Sequence, residues 1–110
     1  MTKVTIDAGI CGFRTVACIR SEDRQHVTFD LECECGKVRA LAQVLKKKGE
    51  IDAYQEISPK AESAVLAAAA TAMKGCCAAC AVPVGLFKAM QVEAGLALPK
   101  DITITMEQAG

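Results

Sequence analysis

The segment EIDAYQEI, at residues 50–57, decides how the second half of the chain is placed on the first half. It follows a glycine that predicts the end of a helix, and it precedes a second helical stretch. We interpret it as a strand or as an ordered crossing loop. A loop that stays at one end of the molecule would send the next helix back to the opposite end, whereas a full central strand would reverse that helix. The position of a cysteine cluster downstream depends on this choice.

Three strands are predicted before this segment. The stretches KVTIDA, RTVACIR and HVTFDLE, at residues 3–8, 14–20 and 26–32, alternate in polarity or are rich in β-branched residues. Both patterns are typical of half-buried strands. The first connection, GICGF, is short and contains two glycines. Because sequential strands joined by short turns pair as antiparallel neighbours, we expect a meander.

Three helices are predicted from apolar spacing and from end signals. The first helix ends at Gly49. The second lies in SPKAESAVLAAAATAMKG, where Ser58 would be the N-cap, Pro59 the first helical residue and Gly75 the stop. Its many alanines allow close approach of neighbouring elements, so we expect it to be the most buried helix. The third helix begins at Pro83.

The last segment, DITITME at residues 101–107, alternates again and predicts a strand that closes the sheet. Together these elements predict one α+β domain over residues 1–110. Its sheet would be mostly antiparallel with four strands, or five if residues 50–57 form one. The three helices are expected on one face of that sheet.

Composition argues against several classes of protein. Lys and Arg total 13, as do Asp and Glu, and the chain has no Trp. A nucleic-acid binder normally shows a basic excess or stripe, so we expect no nucleic-acid partner. No apolar run reaches the roughly 20 residues that span a bilayer, and the N-terminus lacks a signal-peptide core. These features predict a cytoplasmic protein without membrane contact, in which seven cysteines indicate metal binding or catalysis rather than disulfides.

Most of the cysteines are predicted to meet at one end of the sheet. The turn that carries Cys11 lies beside the end of the third strand, where Cys33 and Cys35 follow. If the second helix returns to this end, it brings three further cysteines there: Cys76, Cys77 and Cys80. Cys18 lies in mid-strand, and since free cysteine is often buried, we interpret it as a core residue.

This arrangement predicts a thiolate metal site. The preferred ligands are Cys11, Cys35, Cys77 and Cys80, with Cys33 and Cys76 as substitutes for their neighbours. Several soft thiolates favour an iron–sulfur cluster, most simply a 4Fe–4S cubane, although C-x-C-G and C-C-x-x-C differ from the ferredoxin spacing. Zinc bound by the same thiolates is an alternative, but a structural zinc site usually has two C-x₂-C pairs. A third alternative is a metal-free redox pair formed by the C-x-x-C cysteines.

The expected function is electron transfer, cluster handling or redox sensing, with a redox or cluster-transfer protein as the partner. No acid–base pair, phosphate loop or nucleophile with a base is visible, so we expect no enzyme in its own right. An enzyme remains open if the cluster itself binds substrate through an iron site.

The stretches VTIDAGICGF, CECG and GCCAACAVPVG together resemble a family of small cysteine-rich proteins from anaerobic microbes. The resemblance covers most of the chain. It implies an anaerobic, cytoplasmic setting and a metal site, and it implies no catalytic residue.

Overall fold

The first three strands form the predicted meander. The computed structural model describes residues 1–58, 60 and 62–110, and for residue 76 the backbone alone. Strands β1 (Thr2–Asp7), β2 (Arg14–Arg20) and β3 (His26–Glu32) pair antiparallel. A two-residue strand, β4 (Ile51–Asp52), pairs with the start of β3, giving the order β1-β2-β3-β4.

Alternation along β2 separates the two faces of the sheet. Thr15, Ala17 and Ile19 are buried under the helices. Cys18 lies on the opposite face, between Lys3 of β1 and Asp30 of β3, and is only half buried. The prediction that Cys18 belongs to the core is therefore wrong. Cys18 lies between the buried residues Ala17 and Ile19 in the sequence, and successive side chains of a strand point to opposite faces. Its side chain therefore lies on the face away from the helices.

The helices pack on one face of the sheet, as predicted. They are α1 (Gly36–Lys48), α2 (Ala53–Glu56), α3 (Ala64–Ala72) and α4 (Val82–Glu93), and a 3₁₀ helix (Gly75–Ala79) precedes α4. Helix α1 packs on β3, α4 packs on β1 and β2, and α3 packs against α1 and α4. The described residues thus contain four α-helices rather than three, of which α2 is a single turn. The helix with the most buried residues is α4 and not the alanine-rich α3.

The deciding segment, residues 50–57, combines a short strand with a short helix. Asp52 ends β4 and caps α2, since its carboxylate accepts hydrogen bonds from the backbone N–H groups of Tyr54 and Gln55. The Ala53 N–H donates to the Gln25 carbonyl at 2.8 Å, which ties this corner to the β2–β3 turn. The segment therefore stays at one end of the sheet, and α3 returns towards the other end.

Helix α3 begins later than predicted. Its N-cap is Ser63, whose side chain accepts from the Leu66 N–H, and not Ser58. The first-position role predicted for Pro59 falls outside the described residues. The start is shifted because Glu56 accepts hydrogen bonds from the Ala64 and Val65 N–H groups and so fixes the first turn there.

The C-terminal prediction of a strand is wrong for this chain. Residues 101–107 form neither helix nor strand, and no described segment pairs with them. Alternation indicates which side chains share a face, but a strand also needs a neighbour for its backbone hydrogen bonds.

In the described part of the chain, none of the helices combines the length and apolar character required to cross a membrane.

Candidate metal centre

Three connections that carry cysteines lie at the same end of the sheet. The β1–β2 turn carries Cys11, and the β3–α1 connection lies beside it in the meander. Helix α4 starts at this end, because its early residue Gly85 lies against Ile6 near the end of β1. Its last residue, Glu93, accepts a hydrogen bond from the Thr2 hydroxyl at the opposite end. We call the shared end, formed by residues 8–13, 33–36 and 74–82, the cysteine end.

The β3–α1 connection holds two half-buried cysteines. The Cys33 sulfur accepts a hydrogen bond from the Cys35 N–H at 3.4 Å. Cys35 itself occupies the N-cap of α1, where no side chain caps the helix. The Arg39 side chain donates from Nε to the Cys33 carbonyl at 3.0 Å and holds the connection in place. Glu34 is exposed between the two half-buried cysteines, so its carboxylate is separated from their thiols.

The α3–α4 connection is organised in the same way. The Cys80 N–H donates to the Cys77 carbonyl at 3.1 Å and closes the 3₁₀ turn. The Cys80 sulfur in turn accepts from the N–H of Val82, the first residue of α4, at 3.5 Å. Gly75 allows the chain to enter this turn with a φ of 74°, a conformation that residues with a Cβ rarely adopt.

Two cysteine sulfurs thus accept amide hydrogen bonds at the starts of two helices. Both bonds run from the N–H of residue i+2 to the sulfur of residue i, in Cys33 and in Cys80. Amide donors and the positive end of a helix stabilise negative charge on sulfur, which is the form that binds metals. The visible sequence signal for these donors is a cysteine shortly before a helix: Cys80 lies two residues before the first residue of α4, and Cys33 lies three residues before that of α1.

Cys11 has a different environment. It is exposed in the β1–β2 turn, which is closed by a 2.9 Å hydrogen bond from the Gly12 N–H to the Gly9 carbonyl. The nearby Arg14 is paired with Asp7 at 2.9 Å, and this hydrogen bond and charge raise the pKa of the guanidinium. The cation that follows Cys11 in sequence is therefore held by a carboxylate.

The structure brings the predicted ligands to one end but not to one point. Four of them pack against the same hydrophobic core: Cys33, Cys35, Cys77 and Cys80. Within the described residues, no three His, Cys, Asp or Glu side chains are grouped closely enough to hold a metal ion. The six cysteines with described side chains are all free thiols. The side chain of Cys76 lies outside the description.

Two open depressions flank the cysteine end. Cys33 lines one of about 290 Å³ with Leu31, Val38 and Arg39. Cys80 lines another of about 560 Å³, between α3 and the start of α4. The two cysteines with hydrogen-bonded sulfurs thus each border an open depression, and the two depressions have no lining residue in common.

A sequence comparison adds a family without a stated function. The model of a family described as a family of unknown function (DUF6951) matches residues 2–106. No curated protein and no solved structure matches the chain significantly.

Proposed function

The chain belongs to the family of unknown function DUF6951, and we propose that it binds an iron–sulfur cluster through thiolates of the cysteine end. The cluster would serve electron transfer, cluster handling or redox sensing, with a protein partner that accepts the electron or the cluster. That the family consists of small cysteine-rich proteins from anaerobic microbes is what the resemblance implies, and it belongs to this proposal.

The observation that carries the proposal is the pair of N–H···S hydrogen bonds at Cys33 and Cys80. A structural cysteine in a core packs as a small apolar residue and needs no aligned amide donor. Amide-to-sulfur bonds are instead a device that tunes cluster potentials and stabilises bound thiolates. Both bonds occur at the same end of the fold, next to further cysteines.

The donor set fits an iron–sulfur cluster, or zinc as the alternative, better than a hard cation. The predicted ligands remain Cys11, Cys35, Cys77 and Cys80. The N–H···S hydrogen bond at Cys33 supports Cys33 as a substitute for Cys35. All these donors are soft sulfur atoms, which favour iron–sulfur clusters and zinc over hard cations. A cluster would carry the redox chemistry, while the chain supplies thiolates and amide donors.

Binding would have to draw the ligands together. The connections that hold them contain Gly9, Gly12 and Gly75, all with positive φ, so their backbones turn where other residues would be strained. Metal binding commonly supplies the free energy that orders such segments. We therefore expect the cluster to rigidify the β1–β2 turn and the 3₁₀ helix.

The test is metal and acid-labile sulfide analysis of the full chain purified without oxygen. About four iron and four sulfide per chain, with visible absorption, would support the cubane. Cys80→Ser should lose the absorption, whereas the matched control Cys18→Ser should retain it. One zinc per chain without sulfide would favour the zinc alternative, and a protein that takes up neither metal under reconstitution would refute the proposal.

A metal-free redox pair is the second candidate. Cys77 and Cys80 share one 3₁₀ turn, closed by the 3.1 Å bond between their backbones, so both thiols belong to one local unit. Reversible oxidation of this pair in metal-free protein, lost in Cys77→Ser and retained in Cys33→Ser, would favour this candidate over cluster binding.

A further inference from the structure

The C-terminal segment DITITME, residues 101–107 and here called the tail, has the pattern of a strand without a strand beside it. Ile102, Ile104 and Met106 are 52%, 69% and 88% exposed. Polar residues alternate with them along the tail: Asp101, Thr103, Thr105 and Glu107. Three large apolar side chains on one side of an unpaired segment are a surface that water solvates poorly.

The sheet offers an open edge for such a segment. Strand β1 lies at the end of the strand order, and β2 is its only partner among the described residues. Every second residue of an edge strand directs its N–H and C=O groups away from the sheet, where another strand can pair with them. The side chains of β1 also alternate, with Val4 and Ile6 towards the helices and Lys3 and Thr5 towards solvent.

Charge favours this edge over the other one. Beyond β4, the free part of β3 presents Asp30 and Glu32 on its solvent face. The polar side of the tail is also acidic, so pairing there would place like charges opposite each other, which destabilises a sheet. On β1 the solvent face carries Lys3, which attracts the acidic tail, and Asp7, whose charge is paired with Arg14.

The apolar and polar faces of the tail match those of β1 whether the two strands run parallel or antiparallel. When the apolar residues of the tail continue the face of Val4 and Ile6, its odd-numbered residues lie beside Lys3 and Thr5. An antiparallel register then pairs Lys3 with Glu107, and a parallel register pairs Lys3 with Asp101. Both registers also place a tail threonine opposite Thr5, and threonine pairs and opposite charges stabilise neighbouring strands.

Among the described residues of one copy, the tail and the open edge of β1 remain unpaired. Helix α4 ends at Glu93, beside Thr2 at the start of β1, yet the tail of the same chain makes no backbone bond to β1. We propose that the tail of one copy adds to β1 of a second copy, and that two copies exchange tails about a two-fold axis. The proposal is independent of the metal site.

The test measures the mass of the full chain in solution as a function of concentration, with reductant present so that cysteines form no intermolecular disulfides. We expect a dimer. Ile104→Lys should weaken dimerisation by about tenfold or more, because it places a charge on the buried side of the added strand. Thr103→Lys is the matched control, since it adds the same charge on the solvent side and should leave the dimer intact.

Other outcomes would overturn the proposal. These are a monomer at all concentrations, equal effects of the two tail variants, or an Ile104→Lys variant that lowers the melting temperature of a monomer. The last result would mean that the tail pairs with its own sheet.

Exchanging charges between Lys3 and the tail tests whether β1 is the edge that the tail joins. Lys3→Glu should weaken the dimer, and adding either Glu107→Lys or Asp101→Lys should restore it, according to whether the strands are antiparallel or parallel. Restoration by neither variant would contradict pairing with β1. Hydrogen exchange should then show protection of the tail amides in the dimer and loss of that protection in Ile104→Lys.

Discussion

Gly85 of α4 lies directly against Ile6 of β1. A Cβ atom added to Gly85 would come within 2.5 Å of Ile6 Cδ1 and 2.8 Å of Ile6 Cγ1, closer than carbon atoms can pack. The helix therefore reaches β1 only because this position has no side chain. This contact places the start of α4, and with it Cys80, above the end of the first strand.

Gly85→Ala should destabilise the protein despite the better helix propensity of alanine. Overpacking typically costs about 1–3 kcal/mol, while the propensity gain is roughly 1 kcal/mol, so we expect a net loss of about 1 kcal/mol. Chemical denaturation measures this difference. Adding Ile6→Val should recover part of the loss because it removes Cδ1. The control Gly36→Ala has nothing within 4 Å of its added Cβ and should be neutral or slightly stabilising.

The two faces of α3 should differ in how they tolerate a larger side chain. Ala68 is 2% exposed and packs in the core, whereas Ala70 is exposed. Ala68→Leu should cost on the order of 1–3 kcal/mol in unfolding free energy through overpacking. Ala70→Leu should change it little. Equal effects in thermal or chemical unfolding would contradict the packing of α3 against α1 and α4.

Glu56 fixes the start of α3, so replacing its carboxylate by an amide should lower the stability of the protein. Its oxygens accept from the Ser63 hydroxyl at 2.8 Å, the Ala64 N–H at 2.7 Å and the Val65 N–H at 2.8 Å. Glu56→Gln would turn an NH₂ group towards at least one donor and remove charge from a helix N-terminus. We expect a loss of about 1–3 kcal/mol, measured by denaturation, whereas the exposed Glu62→Gln should have little effect.

Stability should depend on pH through His26 and Asp23. The hydrogen bond from His26 Nδ1 to Asp23, at 2.7 Å, raises the pKa of the imidazole above its ordinary 6.5. The backbone N–H of His26, then its ring and the N–H of Gln25, hold the pKa of Asp23 well below 3.8.

The direction in which stability changes with pH follows from these two pKa shifts. A raised folded-state pKa stabilises the protein below 6.5 and loses that effect as pH rises through the raised value. A lowered carboxyl pKa stabilises it above 3.8 and is lost as pH falls. Melting temperature should therefore be highest between these values, and His26→Gln should flatten its decline on the alkaline side. An unchanged alkaline limb in that variant would exclude His26 as the cause.

The fold was predictable where local patterns and pairing agree. Alternation identified the three long strands, and their short turns identified the meander, because local connections leave few other pairings. The same alternation failed for residues 101–107, since none of the described strands pairs with this segment. Residues 50–57 were ambiguous because Asp52 acts as a helix cap, which shortens the strand to two residues.

The candidate site was predictable only in its topology. The order of strands and helices brings the cysteine-bearing connections to one end. The sulfur environments depend instead on backbone hydrogen bonds such as the one from Val82 to Cys80. To predict such a bond, the first residue of α4 must be known without error. Helix ends are the least certain part of a sequence-based prediction.

Serine variants should separate the seven cysteines into three classes. Cys11→Ser and Cys80→Ser should each abolish the visible absorption of the cluster, since neither ligand has a substitute cysteine beside it in the sequence. Cys33→Ser and Cys35→Ser should each retain part of it, because either thiol could take the place of the other. The double variant should retain none. The pair Cys76 and Cys77 should follow the same rule.

Cys18→Ser defines the third class and is the control for the others. Cys18 lies half exposed on the face opposite the helices, so its serine variant should retain all bound iron. Its unfolding free energy should fall by less than about 1 kcal/mol, because a hydroxyl at this position stays within reach of water. Iron content per chain and chemical denaturation measure the two effects. If Cys18→Ser removed the iron while Cys11→Ser kept it, the site would lie on the outer face of the sheet and not at the cysteine end.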